Sequence, residues 1–183
     1  MKIKEIMSVF LPVGILFILL FFVIVALGYG SLEFCGFGID NNDLLYVGRL
    51  HQIEIYEEGK QIEKIDTPID RGWVMTVDEN SNIVVSNMSK IFLLDATGEI
   101  LTTQTDIHGK AYYTIRDIRQ IQSLDGAVYQ LKFKWIWPTI FKNGSVIYRT
   151  PFVDVIMRIL FFVGSAFLLI GIIACKKDNQ NRD

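Results

Sequence analysis

The sequence predicts an all-β extracytoplasmic domain carried between two transmembrane α-helices, and three observations predict it. Residues 6–32 contain no charged side chain, and neither do residues 159–175. A helix rises about 1.5 Å per residue and needs roughly 20 apolar residues to cross about 30 Å of hydrocarbon, so both stretches have the composition of spans. Between them the chain turns polar and reads as short alternating runs of β-branched and aromatic residues, broken by Asn, Asp and Gly.

The first apolar run is too long for the 7 to 15 residues of a signal-peptide core, and it lacks the small residues of a cleavage site. The sequence therefore predicts an uncleaved anchor over residues 7–30 after a short tail at 1–6, with Pro12 in the first turns of the helix, where a missing N–H costs least. The second span is expected over 153–175. Arg158 lies near its start, and its long stem would extend the charge to the headgroups. Lys2 and Lys4 precede the first span, and Lys176 and Lys177 follow the second, within the tail 176–183. Basic flanks stay on the cytoplasmic side, so both termini are expected there, in a two-span protein of the plasma membrane, with residues 31–152 outside.

Acids outnumber bases in the middle region, which argues against nucleic acid or anionic lipid as its main partner. The two cysteines, Cys35 and Cys175, fall at opposite faces of the predicted membrane and cannot pair. The outer domain must therefore be held by packing rather than by an internal disulfide, and Cys35 is left as a candidate for an intermolecular bridge or as a buried thiol.

The middle region is internally repetitive. Residues 43–57 align without gaps on residues 81–95, matching Leu45 with Ile83, Val47 with Val85, Ile53 with Ile91 and Ile55 with Leu93. Each copy then turns at Gly59 or Gly98, and a looser third copy begins near Ser123, so copies recur about every 40 residues. Repeats are expected near 36–66, 72–105 and 115–150, each with four strands. This order resembles the four-stranded blades of β-propellers, with DENSNIVVSNMSKIFLLDATGEIL the best match. The alternative is a β-sandwich or a plain meander. Closed propellers use about 4 to 8 blades, so three would leave open edges for a second copy of the chain or another protein to cover.

Chemistry-bearing patterns are sparse. Asp78-Glu79-Asn80-Ser81-Asn82 opens like a calcium loop, but Ile83 and Ser89 stand where glycine and glutamate are needed, so an Asx-rich hairpin turn is expected there and again at Asp40-Asn41-Asn42-Asp43. His51 and His108 have no second ligand at metal-binding spacing, and no phosphate-binding Gly-Lys loop, nucleophile elbow or Cys–His pair is found. No catalytic, metal or cofactor site is predicted. Gly28-Tyr29-Gly30 is similar to the end of a potassium-channel filter, yet it closes the first span instead of following a pore helix. Asn87-Met88-Ser89 and Asn143-Gly144-Ser145 fit the glycosylation sequon.

Trp135 and Trp137, with Phe133 just before them and Lys132 and Lys134 interleaved, form the densest aromatic cluster outside the spans. Such a cluster suits a protein interface or the headgroup level of a bilayer, and equally a packed strand ending at Pro138. The function expected is that of a non-catalytic membrane protein whose outer domain binds another membrane protein or its own copies, as an accessory or sensing subunit. The alternative is a subunit of an oligomeric two-span channel or transporter, though both spans lack the polar stripe such a role would want.

Overall fold

A computed structural model describes residues 3–26, 33–67, 69, 72–134 and 137–180. Among them are three α-helices, α1 (Ile3–Ala26), α2 (Lys110–Arg116) and α3 (Phe152–Gln180), and the strands of a mostly β domain. The chain divides into a unit holding α1 and α3 and a unit, Glu33–Thr150, holding the strands and α2.

Among the described residues of the helical unit one stretch, Phe152–Lys177, is long and apolar enough to cross a membrane, with 26 residues, the most apolar 18 of them at a mean hydropathy of 2.5. The apolar stretch of α1 is shorter, Val9–Ile24, and the rest of the expected first span, residues 27–30 with Gly28-Tyr29-Gly30, lies outside the described residues. Pro12 falls well inside α1, which already begins at Ile3, so the hydrogen bond its N–H would have made to Ser8 is missing. Small residues bring α1 and α3 together. A methyl added at Gly14 would lie 2.8 Å from Leu168 N and 3.0 Å from Gly164 O, and Phe10 meets Phe167 edge to face at 5.2 Å.

The β unit is built from three consecutive four-stranded antiparallel meanders. The first comprises β1 (Phe34–Ile39), β2 (Leu45–Arg49), β3 (Gln52–Glu57) and β4 (Lys60–Asp66). The second comprises β5 (Val74–Val77), β6 (Ile83–Ser86), β7 (Lys90–Leu94) and β8 (Ile100–Thr105). The third comprises β9 (Gln120–Gln122), β10 (Val128–Lys134), β11 (Trp137–Lys142) and β12 (Ser145–Arg149). The first two meanders join through β1 and β5, parallel at Gly36 and Met75, into one sheet ordered β4-β3-β2-β1-β5-β6-β7-β8; the third forms its own sheet.

One turn device recurs. The N–H of Asp40, Asp78, Asp95 and Ser123 each donates to the carbonyl four residues on, across a three-residue loop that ends in a positive-φ residue: Asp43, Ser81, Gly98 and Gly126 respectively. The carboxylates of Asp40, Asp78 and Asp95 accept the N–H groups inside their own loops, as at Asn42 (2.9 Å), Asn80 (2.9 Å) and Thr97 (2.9 Å). Both Asx-rich segments expected to be turns are therefore turns. They also touch, since Asn41 N donates to Ser81 Oγ at 3.0 Å.

Strands β1 to β3 of the first meander are buried on both faces, with buried residues at adjacent positions. On one face Cys35, Tyr46, Ile53 and Ile55 pack against Met75, Ile83, Val85 and Leu94 of the second meander, so the eight-stranded sheet curls back on itself at the β1–β5 junction. On the other, Phe37, Ile39, Leu45 and Val47 pack against Tyr129, Leu131, Ile140 and Tyr148 of the third. Each such side chain taken fully from water contributes about 1.5–3 kcal/mol.

The expectation of strands throughout is corrected between the second and third meanders. There a short 3₁₀ turn (Ile107–Gly109) leads into α2, and the third meander starts only at Gln120. Asp106 is the cause. Its carboxylate accepts Ala111 N and Tyr112 N, both at 3.0 Å, and Ser86 Oγ at 2.8 Å, fixing the first turn of α2 beside β6.

Candidate functional site

Packing of the first meander on the third leaves a cleft of about 400 Å³ at their seam, lined by Asp43, Tyr56, Glu57, Glu58, Tyr129 and Lys142 among others. The turn that closes β1 and β2 delivers Asp43, while β10 and β11 deliver Tyr129 and Lys142. Tyr129 Oη donates to Asp43 Oδ1 at 2.6 Å, Lys142 Nζ forms an ion pair with Asp43 Oδ2, and the same ammonium lies 5.4 Å from the centre of the Tyr129 ring. Burial, reinforced by the hydrogen bond to Asp43, pushes the Tyr129 phenol up to about 12, and that same carboxylate holds Lys142 above the usual lysine range. Lys142 neutralises Asp43, so Glu57 and Glu58 at the mouth leave the cleft acidic and suited to a hydrogen-bond-donating or cationic group.

Beneath the cleft lies a buried polar layer. Arg49 Nη1 donates to Tyr148 Oη at 2.9 Å across the seam, and buried Glu54 accepts Tyr56 Oη at 2.8 Å and Gln52 Nε2 at 3.0 Å. The rings of Tyr56 and Tyr148 meet edge to face at 5.3 Å. Desolvation first, then the Glu54 charge beside it, raise the Tyr56 phenol, so it keeps its proton at neutral pH, while the Arg49–Tyr148 bond fastens the two meanders.

Of the residues singled out by the sequence, Phe133 ends up 51% exposed near the end of β10, where the Arg119 guanidinium stands 5.7 Å from its ring centre. Trp137 is half-buried at the start of β11, opposite Lys134, and Trp135 lies outside the described residues. Cys35 is only 3% exposed, inside the core shared by the first two meanders; burial first, then the Glu33 charge, push its thiol up to about 12. Asp125 organises the β9–β10 turn by accepting Ser123 Oγ and Ala127 N. Among the described residues no group of three His, Cys, Asp or Glu is placed to hold a metal ion.

The sheet's two edges differ. The strand β4 reads KQIEKID and carries charge along its length, whereas β8 reads ILTTQT, has no charged residue and is exposed throughout. Charge on an edge strand discourages pairing with another chain, so β4 is guarded and β8 is open.

No protein-family model matches the chain, and no curated protein does. Among solved structures it is similar to a protein of unknown function from Bacteroides caccae, at 12% identity and a TM-score of 0.30 over 64% of this chain and 45% of that one. It is also similar to a streptogramin B lyase, at 13% identity and a TM-score of 0.36 over 66% of this chain and 41% of the lyase. The chain thus spans less than half the length of either, and likenesses this faint carry no argument about what it does.

Proposed function

We propose that the chain is a non-catalytic protein anchored in a membrane by α3 and by α1 with the residues after it, holding its β unit outside the cytoplasm as blade-like repeats that bind a partner protein. The role is that of an accessory or sensing subunit. The observation that carries this reading is β8, an uncharged, fully exposed edge strand with Ile100 and Leu101 open to solvent, which has the form of a template for one more strand. The acidic cleft between the first and third meanders supports the same reading, because it offers hydrogen-bond acceptors to a basic side chain of a partner.

The test is recovery of the tagged full-length chain from native membranes in mild detergent, beside Leu101→Lys, which puts a charge on the edge. A stoichiometric foreign membrane protein that is lost from the variant is the expected result. An even-numbered complex of this chain alone, also lost in the variant, would mean that copies supply the strand to each other. Recovery of identical complexes from both would overturn the reading.

A further inference from the structure

Where β8 ends, a mostly apolar groove begins. It encloses about 430 Å³ between Ile91 of β7, Thr105 at the end of β8, Ile107 in the 3₁₀ turn, and Lys110, Ala111 and Ile115 of α2. Ile83, Val85 and Leu94 face the core, so by alternation Ile91, Gln104 and Asp106 point to the other side of the sheet. That is the side on which α2 lies, since the Asp106 carboxylate reaches both Ser86 Oγ and Ala111 N. Ile107 stands 71% exposed at the rim. Two bulky residues at positive φ brace this wall: His108 at 58°, and Met88 at 69°, whose carbonyl lies against Gly109 of the turn. Such residues persist only where their surroundings hold them, so the groove is preformed.

The backbone says what shape of ligand fits. Asp106 N donates to Ser89 O at 2.8 Å, and antiparallel neighbours alternate between bonded and non-bonded pairs. Counting back along β8, Gln104 is bonded to Ile91, whereas the N–H and C=O groups of Thr103 and Thr105 turn to the open edge. An extended chain supplies partners at that spacing. A strand running antiparallel to β8 would exchange bonds with Thr105 and Thr103. The residue just before the one bonded to Thr105 would lie opposite Asp106 and carry its side chain on the groove side of the sheet. The charges at this end indicate what stands beside that residue. Lys110 lines the groove and Lys90 pairs with Thr105, both exposed, whereas the Asp106 carboxylate is occupied by Ala111 N, Tyr112 N and Ser86 Oγ. An acidic residue there would meet the two ammonium groups.

We propose that β8 and this groove together bind an extended segment of a partner protein, in which an acidic residue is followed by a large apolar one and then by a strand, with the apolar side chain in the groove. The proposal rests on the reading of β8 above as a template for one more strand. The experiment uses the full-length chain in mild detergent and a fluorescein-labelled synthetic peptide that reads aspartate, phenylalanine, then alternating threonine and valine, with binding read by fluorescence anisotropy. Saturable binding is expected, weakened about tenfold or more when serine replaces the phenylalanine, and several-fold by Ile107→Asp at the exposed rim. Lys110→Glu is expected to weaken it about threefold and to prefer a peptide with lysine in place of the aspartate. Thr103→Pro removes an N–H that faces the edge and not β7, so it is expected to keep the thermal midpoint and abolish binding. Loss of binding in Thr103→Pro, with no effect of Ile107→Asp, Lys110→Glu or the serine peptide, would overturn the groove proposal and leave the reading of β8 standing. Unchanged binding in a folded Thr103→Pro, or no binding to the parent at millimolar peptide, would overturn both. A dimer of the chain that the peptide neither enters nor splits would assign the edge to a second copy, and it too would overturn the proposal.

Discussion

Gly38 of β1 runs so close to Val77 of β5 that a methyl group added at Gly38 would lie 2.3 Å from the Val77 backbone nitrogen. The same contact recurs one pleat back, where a methyl at Gly36, itself at φ 117°, would lie 2.4 Å from Met75 O. Two glycines at alternate positions of β1 therefore let the first two meanders meet backbone to backbone and turn their apolar faces toward each other.

Gly38→Ala is expected to destabilise the β unit by about 1–3 kcal/mol, because the obstructing atoms are backbone and cannot rotate away. Gly144→Ala is the control at a glycine with open space around its missing side chain, although its φ of 86° carries a strain of its own of about 1–2 kcal/mol. The thermal midpoint of each full-length variant measures the difference. Equal stability of Gly38→Ala and the parent would mean that β1 and β5 are not in contact.

Asp106 should make stability depend on acid. Desolvation opposes its charge, but the N–H groups of Ala111 and Tyr112 and the Ser86 hydroxyl outweigh it and hold the carboxyl below its usual range. The folded state then binds a proton less readily than the unfolded one, so the contribution is present above about pH 4 and lost as pH falls through the depressed value. Asp106→Asn is expected to lower the midpoint by several degrees at neutral pH and to flatten its decline below pH 4. A matching acid decline in parent and variant would show that the carboxylate does not hold α2.

The hairpins were legible because each is local. The alternation that aligned Leu45 with Ile83 and Val47 with Val85 is the alternation that buries those residues at the first and third positions of β2 and β6. The helix α2 was not legible, since its first turn is held by Asp106 and anchored to Ser86, twenty residues earlier on another strand. Nor was the cleft, for Asp43 reads as a turn residue and meets Tyr129 and Lys142 only across 86 and 99 residues of chain.

Cys35 should not act as a surface thiol. At 3% exposure, with its thiol raised to about 12 by burial and the neighbouring Glu33 charge, it has neither access nor thiolate at neutral pH. Maleimide is expected to modify it only after denaturation, with no intermolecular disulfide on non-reducing gels of the native protein. Rapid labelling of Cys35 in the folded chain would show that the β1–β5 core opens readily.

Alkaline pH should loosen the packing of the first meander on both of its neighbours. Tyr129 is raised to about 12 by burial and by its hydrogen bond to Asp43, Tyr46 to about 12 by burial and the Asp40 charge, and Tyr56 higher still beside Glu54. Each folded phenol holds its proton more tightly than the unfolded one, so the stability they add is complete below about pH 10 and lost as pH climbs toward 12. Lys142, raised by the same Asp43, loses its contribution in the same direction, through an even higher range. Tyrosinate absorbance of the folded protein at pH 11 should therefore fall at least these three phenols short of the denatured chain at that pH. Tyr129→Phe is expected to cost about 1.5–3 kcal/mol at neutral pH, the range for a hydrogen bond to a charged group, and to reduce the shortfall by one. A full complement of tyrosinate at pH 11 in a protein that is still folded would mean that these three phenols are open to water and that the cleft is not closed by Asp43.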